Sequence, residues 1–184
     1  QPRAWRSLLQ TPQTLAMRRD VARVAQGYLN QLADTPSAPS DVLLEAADGF
    51  SRIAELQAGR SRASLGDPVG ALENLDRADQ IAARLQKTDP ATTGTLILRA
   101  RVAIRHAAIA MNSRQELDSA TELLAQASRY IAAIPPDTRV AKLLTAQHEM
   151  ESAILGNWKG AYTESQAHAR KGIAVAESLT PDPI

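Results

Sequence analysis

Apolar residues recur along the chain at spacings of three and four residues, which is the period of an amphipathic helix. Short stretches rich in Pro, Gly, Asp, Asn and Ser separate the apolar segments. The pattern predicts seven helices, which span approximately 11–32, 41–65, 68–85, 90–111, 114–134, 137–155 and 158–179. Runs with the alternating pattern of a β-strand are absent from the sequence. Loops of a few residues predict that successive helices are antiparallel neighbours.

Several predicted helices begin with a capping residue followed by proline. Thr11-Pro12, Asp67-Pro68 and Asp89-Pro90 each combine an N-cap side chain with proline at the first helical position. Within the first helix, the spacing places Val21 and Tyr28 on one apolar stripe with the neighbouring leucines and alanines.

The composition refines this picture to thin layers between closely packed helices. The chain has 184 residues, enough for one sizeable core, and aromatic residues make up only 3% of it. Alanine replaces the missing bulk and lets helices approach closely. No apolar stretch is long enough to span a membrane. Because the sequence starts with Gln1 and not with Met, we expect it to be a piece of a longer protein or a processed product.

Charge and cysteine content remove several classes of function. The 21 basic and 20 acidic residues give a net charge of +1, which removes the electrostatic argument for a nucleic-acid-binding protein. Because the chain has no cysteine, disulfide scaffolds, cysteine-ligated zinc and cysteine nucleophiles are excluded.

Two seven-residue segments form an internal repeat. Residues 65–71 and 155–161 share Leu, Gly, Gly and Ala at the same offsets. We interpret Leu-Gly as the end of one helix, because glycine readily adopts the left-handed C-cap conformation. Asp67 or Asn157 then caps the next helix, and the alanine at the end of each segment leaves room for the two helices to cross.

These small and large positions resemble the tetratricopeptide repeat (TPR) family. The resemblance implies a superhelical array of antiparallel helix pairs, with about seven helices here. This sequence departs from the family in two respects. Its helices are longer than those of the family's usual unit of about 34 residues. Arg62 stands where the family has an aromatic residue. The residues expected to pack the repeats together are Gly59, Leu65, Gly66, Ala71, Leu75, Ala78, Ala120, Leu124, Ala127, Gly156 and Ala161.

The order of Thr11-Pro12, the first two predicted helices and the run Ala63–Leu72 resembles the repeat region of bacterial receptor-type serine/threonine kinases. This resemblance covers roughly the first 85 residues, and Ala63–Leu72 is its most specific element. That resemblance implies a sensor segment of an inner-membrane protein, on the extracytoplasmic side and attached through a membrane-spanning helix. Similar segments occur in membrane-bound winged-helix regulators, and a cytoplasmic location stays open. We divide the chain into a membrane-proximal lead-in (1–10), a helical repeat domain (11–179) and a frayed tail (180–184).

The residues that could carry chemistry form no catalytic constellation. His106, His148 and His168 are the only histidines, and the sequence contains no His-x-x-x-His or Glu-x-x-His pair of the kind that holds a metal on a helix. A phosphate-binding loop, a nucleophile elbow and kinase signatures are absent as well. We predict that this segment is not an enzyme and uses neither a metal nor a cofactor. Glu149 and Glu151 are read as solvated surface charges.

The most specific candidate site is a groove on the concave face of the expected array. Its predicted residues are Arg60, Arg105, His106, Asn112 and Gln147. Arginine recognises carboxylates through two parallel hydrogen bonds, which favours an acidic or C-terminal peptide segment. The alternative is that these residues form ordinary surface ion pairs.

The sequence therefore predicts a non-catalytic protein- or peptide-interaction module of a larger bacterial signalling protein. Two alternatives stay open: an oligomerisation or spacer domain, and a small-molecule sensor pocket between helices. Expected partners are a protein or peptide, with a second copy of the chain also open. No nucleic acid is expected to bind this segment, and a membrane would be reached only through flanking sequence.

Overall fold

The computed structural model describes residues 12–35, 37–59, 64–88 and 92–179, which contain seven α-helices and no β-strand. The prediction of an all-α protein is therefore confirmed. In chain order the helices are α1 (Pro12–Asp34), α2 (Ser40–Ala58), α3 (Pro68–Thr88), α4 (Thr93–Ile109), α5 (Leu117–Ala132), α6 (Arg139–Trp158) and α7 (Tyr162–Glu177). The predicted lead-in and tail lie outside the described residues.

The chain divides into two compact units, with the division between Leu85 and Gln86. The first unit contains α1, α2 and most of α3, and the second contains α4 to α7. The single repeat domain over 11–179 stays a prediction. None of the described helices has the length and apolar character that crossing a membrane requires.

In the first unit, α1 packs on α2 at a point where only glycine fits without displacing its neighbour. A Cβ atom at Gly49 would lie 2.9 Å from the Leu29 methyl groups. Ala22, Ile53 and Leu65 form the buried cluster beside this contact. The close approach of the two helices explains how a core with few aromatic residues excludes water.

The connection from α2 to α3 corrects one predicted boundary. The sequence predicts that α2 continues to Leu65, but α2 ends at Ala58. The Leu65 and Asp67 N–H groups donate to the Leu56 and Gln57 carbonyls at 2.9 Å, so the returning chain satisfies the last turn of α2. Leu65 is buried by this return and not by lying on a helix.

The predicted start of α3 is confirmed. Asp67 precedes Pro68, and its Oδ1 accepts a hydrogen bond from the Gly70 N–H at 2.9 Å, as an N-cap does. Gly66 has a φ of +68°, the left-handed conformation that turns the chain before the cap. A buried amide pair, in which Asn74 donates to Gln57 at 2.7 Å, then fixes α3 against α2.

In the second unit, α4 packs on α5 and α6, α5 packs on α6, and α6 packs on α7. Two buried clusters lie between these helices. The predicted packing residues inside helices of both units are fully or almost fully buried: Ala71, Leu75, Ala78, Ala120, Leu124 and Ala127. A π-helical turn over 110–114 ends α4, and Gln115 follows it in the left-handed conformation.

The end of α6 differs from the prediction. The sequence places the helix end at Gly156 and the next helix start at Trp158, but α6 runs to Trp158 and α7 begins at Tyr162. Gly160, with a φ of +74°, is the left-handed residue. Its N–H donates to the Asn157 carbonyl at 3.1 Å, and the Ala161 N–H donates to the Gly156 carbonyl at 2.8 Å, which is a Schellman motif.

The two copies of the repeated segment therefore differ in local structure. In the first copy, the left-handed residue is the first glycine, Gly66. In the second copy, the left-handed residue is the second glycine, Gly160. Ala71 is buried inside α3, whereas Ala161 is the half-buried N-cap residue of α7. Sequence identity at these offsets does not produce equivalent helix ends.

Helix α1 carries two apolar stripes where the sequence predicts one. Ala22 is buried, but Val21 and Tyr28 are 63% and 62% exposed. The prediction that Val21 and Tyr28 share one stripe with Ala22 is therefore wrong. Successive helical residues are rotated by about 100°, so residues next to each other in sequence face different sides of the helix.

Candidate functional site

A groove of about 330 Å³ lies between α5, α6 and α7. Leu124 and Leu155 supply an apolar floor, and two histidines, a lysine, a glutamate and several hydroxyl groups surround it. The lining residues are Thr121, Leu124, Ala125, Ser128, His148, Ser152, Leu155, Gly156, Lys159, Ala161, Glu164 and His168. An apolar floor with a few polar groups is the usual composition of a ligand-binding site.

Two glycines bring α6 and α7 close together beside the groove. A Cβ atom at Gly156 would lie 3.1 Å from the Ser165 Cβ, and one at Gly172 would lie 3.3 Å from the Glu149 Cβ. The two contacts are about two turns apart on each helix and occur in opposite order, so the helices are antiparallel. This register turns Glu149 directly toward α7.

Glu149 is a buried carboxylate held by two donors from α7. Its residue is only 3% exposed. Oε2 lies 2.6 Å from the His168 Nδ1, and Oε1 lies 2.6 Å from the Lys171 Nζ. Both donors reach the same carboxylate because residues three apart share one face of a helix. The cluster therefore joins α6 to α7 through charge-assisted hydrogen bonds.

The balance of burial and pairing sets the charge of this carboxylate. Burial acts to raise the pKa of Glu149, but the hydrogen bonds and positive charges of Lys171 and His168 outweigh it, so the pKa lies below the ordinary value. Glu149 is therefore ionised at neutral pH in spite of its burial.

The hydrogen-bond partners fix where the ring protons lie. A carboxylate only accepts, so the His168 Nδ1 carries a proton toward Glu149. The Leu124 carbonyl, 3.1 Å from the His148 Nε2, likewise assigns a proton to that nitrogen.

His148 is held in its neutral form. Burial is the main cause of its lowered pKa, and the charges of His168 and Lys171 add to the effect. The Leu124 carbonyl and the charge of Glu149 oppose the shift without cancelling it.

Lys159 links α5 to the end of α6 at the edge of the groove. Its Nζ donates to the Thr121 Oγ1 at 2.7 Å and lies 3.8 Å from an Asp118 carboxylate oxygen. Glu164 of α7 lines the same groove. The groove thus presents both a positive and a negative side chain to a ligand.

The predicted concave-groove residues do not line this groove. Arg105 and His106 are half-buried on α4, and Gln147 is exposed on α6. Asn112, in the π-helical turn, donates to the Ala108 carbonyl of its own helix at 2.7 Å. Arg60 lies outside the described residues. The acidic-peptide groove stays a prediction for that face of the chain.

Sequence reasoning missed the buried acidic residues of α6. Glu149 and Glu151 are predicted to be solvated, but both are buried, at 3% and 5% exposure. The sequence does contain one feature that indicates this burial: Glu149 lies seven residues before Gly156, on the same face of α6. On the facing helix, His168 and Lys171 have the spacing needed to pair with one carboxylate.

No match to this chain is found among protein-family models, curated proteins or solved structures. Within the part of the chain that the structure describes, no group of three or more His, Asp or Glu side chains is placed to hold a metal ion.

The lowered pKa of His148 predicts a loss of stability on mild acidification. Below its ordinary pKa of 6.5 the unfolded chain binds a proton that the folded chain does not, so the free energy of unfolding falls as the pH falls. We expect His148→Gln to lose less stability between about pH 7 and about pH 5 than the wild type. Urea unfolding at several pH values measures this, and equal slopes for the two proteins would contradict it.

Proposed function

We propose that this chain is a non-catalytic interaction module that binds a protein or peptide segment in the groove between α5, α6 and α7. The groove itself is the observation that carries the proposal. Its apolar floor suits an aliphatic or aromatic side chain, and Lys159, Glu164 and His168 can bond the polar groups of an extended segment.

We further propose that the helices form a TPR-like superhelical array of antiparallel pairs. The contacts in the second unit support this: each helix packs on the next, and α4 also packs on α6. These are the contacts expected when the first helices of successive pairs stack side by side. The Schellman ending of α6 supports a short turn between the two members of a pair.

The place of this module in a larger protein is also a proposal. The resemblance of Ala63–Leu72 to kinase sensor repeats supports a role as the sensor or docking portion of a membrane-anchored bacterial signalling protein. In that setting the module lies outside the cytoplasm, and binding in the groove controls an attached signalling domain.

A matched pair of variants tests the groove. Ala125 and Ala132 are both exposed alanines of α5, but only Ala125 lines the groove. Peptides are first selected from a displayed random library against the whole chain, and their affinities are then measured by calorimetry. We expect Ala125→Trp to weaken binding at least about tenfold and Ala132→Trp to leave it unchanged.

Peptide-induced NMR shifts provide the second readout. Shifts in α5, α6 and α7 support the proposal. The proposal is wrong if no peptide is enriched, if Ala125→Trp binds like the wild type, or if the shifts centre on Arg105, His106 and Gln147.

A small-molecule sensor is the second candidate, because the volume of the groove is near the lower end of the range for such sites. A metabolite that raises the melting temperature of the wild type but not of Ala125→Trp would favour this function.

A further inference from the structure

Four large apolar side chains form one exposed stripe on α1. Met17, Val21, Val24 and Tyr28 are 68%, 63%, 72% and 62% exposed. Their spacings of four, three and four residues keep them on one side of the helix, facing away from the stripe that contains buried Ala22. We name these four residues the α1 seam.

This spacing matches the pattern of a helix that packs lengthwise against another helix. Alternating steps of three and four residues define the a and d positions of a left-handed helix pair. Helix α6 has two exposed apolar residues at a similar spacing, Leu143 and Met150, but the position between them in this pattern is occupied by exposed, polar Gln147. The α1 seam has no such interruption, so a helix with matching spacing is the ligand it fits.

We propose that a second copy of this chain covers the α1 seam, through antiparallel pairing of the two α1 helices. In this register Val21 packs on Val24 of the second copy at the centre. At both ends, Met17 of one copy packs on Tyr28 of the other. The antiparallel direction also sets each positive helix N-terminus beside a negative C-terminus.

The charges beside the seam allow two identical faces to meet. Arg18 and Asp20 flank the seam on opposite sides, and Asp20 already pairs with Arg23 at 2.5 Å within its own helix. Antiparallel pairing sets these residues opposite Ala25 and Gly27 of the second copy. No like charges are brought together, and the small residues let the helices approach closely.

The size of the seam predicts a weak dimer. Four side chains exposed to this degree, with their immediate neighbours, bury on the order of 500 Å² per copy, or about 1,000 Å² in total, which is the lower limit for a specific interface. The association is therefore expected to depend on concentration in the micromolar range.

Sedimentation equilibrium of the whole chain tests the proposal with two matched variants. Val21→Glu adds a charge at the centre of the seam, and Ala16→Glu adds the same charge at an exposed position of α1 outside it. We expect the wild type and Ala16→Glu to dimerise alike and Val21→Glu to dimerise at least about tenfold more weakly. Circular dichroism should show that all three proteins remain equally folded.

Cysteine pairing tests the register, because the chain has no cysteine of its own. Isotope-labelled Val21→Cys is mixed with unlabelled Val24→Cys and oxidised, and mass spectrometry identifies the cross-linked species. Antiparallel pairing predicts that the mixed disulfide dominates.

Three results would overturn the proposal. One is a wild type that stays monomeric at the highest concentration measured. Another is a loss of melting temperature in monomeric Val21→Glu that Ala16→Glu does not share, which would show that the chain covers the seam itself. The third is a predominance of Val24→Cys paired with itself, which contradicts the proposed register of Val21 on Val24.

Discussion

Replacing Glu149 by glutamine is expected to lower the free energy of unfolding by about 2–3 kcal/mol. The amide of glutamine keeps the shape of the side chain but offers only one acceptor oxygen to two donors, His168 and Lys171. Its NH₂ group then faces one of these donors without forming a hydrogen bond. Because both donors are partly exposed and can be hydrated, the expected loss is smaller than that for breaking a fully buried ion pair.

The matched control is Glu122→Gln. Glu122 is an exposed residue of α5, and its substitution is expected to change stability by less than about 0.5 kcal/mol. Urea unfolding at neutral pH measures both variants. Equal stability of Glu149→Gln and the wild type would show that the buried cluster does not stabilise the fold.

The effect of Glu149→Gln should also depend on pH in one direction. The pKa of Glu149 in the folded chain is below its ordinary value of 4.5, so ionised Glu149 stabilises the fold above that pH. The contribution disappears as the pH falls through the lower folded-state pKa. The difference between wild type and Glu149→Gln should therefore shrink in acid, and a constant difference would point to altered packing instead.

The helix content of this chain can be predicted from sequence because local rules act within a few residues. The start of α3 is indicated by Asp67 and Pro68, which both act on the first turn of the helix. The end of α6 could not be placed in the same way. Gly156 and Gly160 both permit a left-handed turn. Which of them ends the helix depends on the contact between Gly156 of α6 and Ser165 of α7.

The candidate site was harder to predict because its residues meet only through tertiary packing. Composition and spacing classify Glu149 as a surface charge, since an isolated carboxylate is rarely buried. Its burial depends on two donors nineteen and twenty-two residues later in the sequence, and on Gly172 allowing α7 to approach. Val21 and Tyr28 present the converse case, because hydrophobicity alone does not say which of two stripes on α1 faces the core.

Replacing Phe50 by alanine is expected to cause the largest loss of stability, about 3–5 kcal/mol. Phe50 is the only phenylalanine of the chain and has no solvent exposure. Ala46 and Ala54, one turn before and after it on α2, are also fully buried. Small side chains cannot move in to fill the space that the ring leaves, so the lost contacts and the resulting cavity both contribute.

Tyr162→Ala is the control, because it removes a ring of similar size from a side chain that is 64% exposed on α7. We expect it to change the free energy of unfolding by less than about 1 kcal/mol. Urea unfolding of both variants gives the two values directly. A loss below about 1 kcal/mol for Phe50→Ala would mean that neighbouring helices collapse onto the vacated space. A core layered with alanine would then tolerate a lost ring, and the close approach of α1 and α2 at Gly49 would not depend on Phe50.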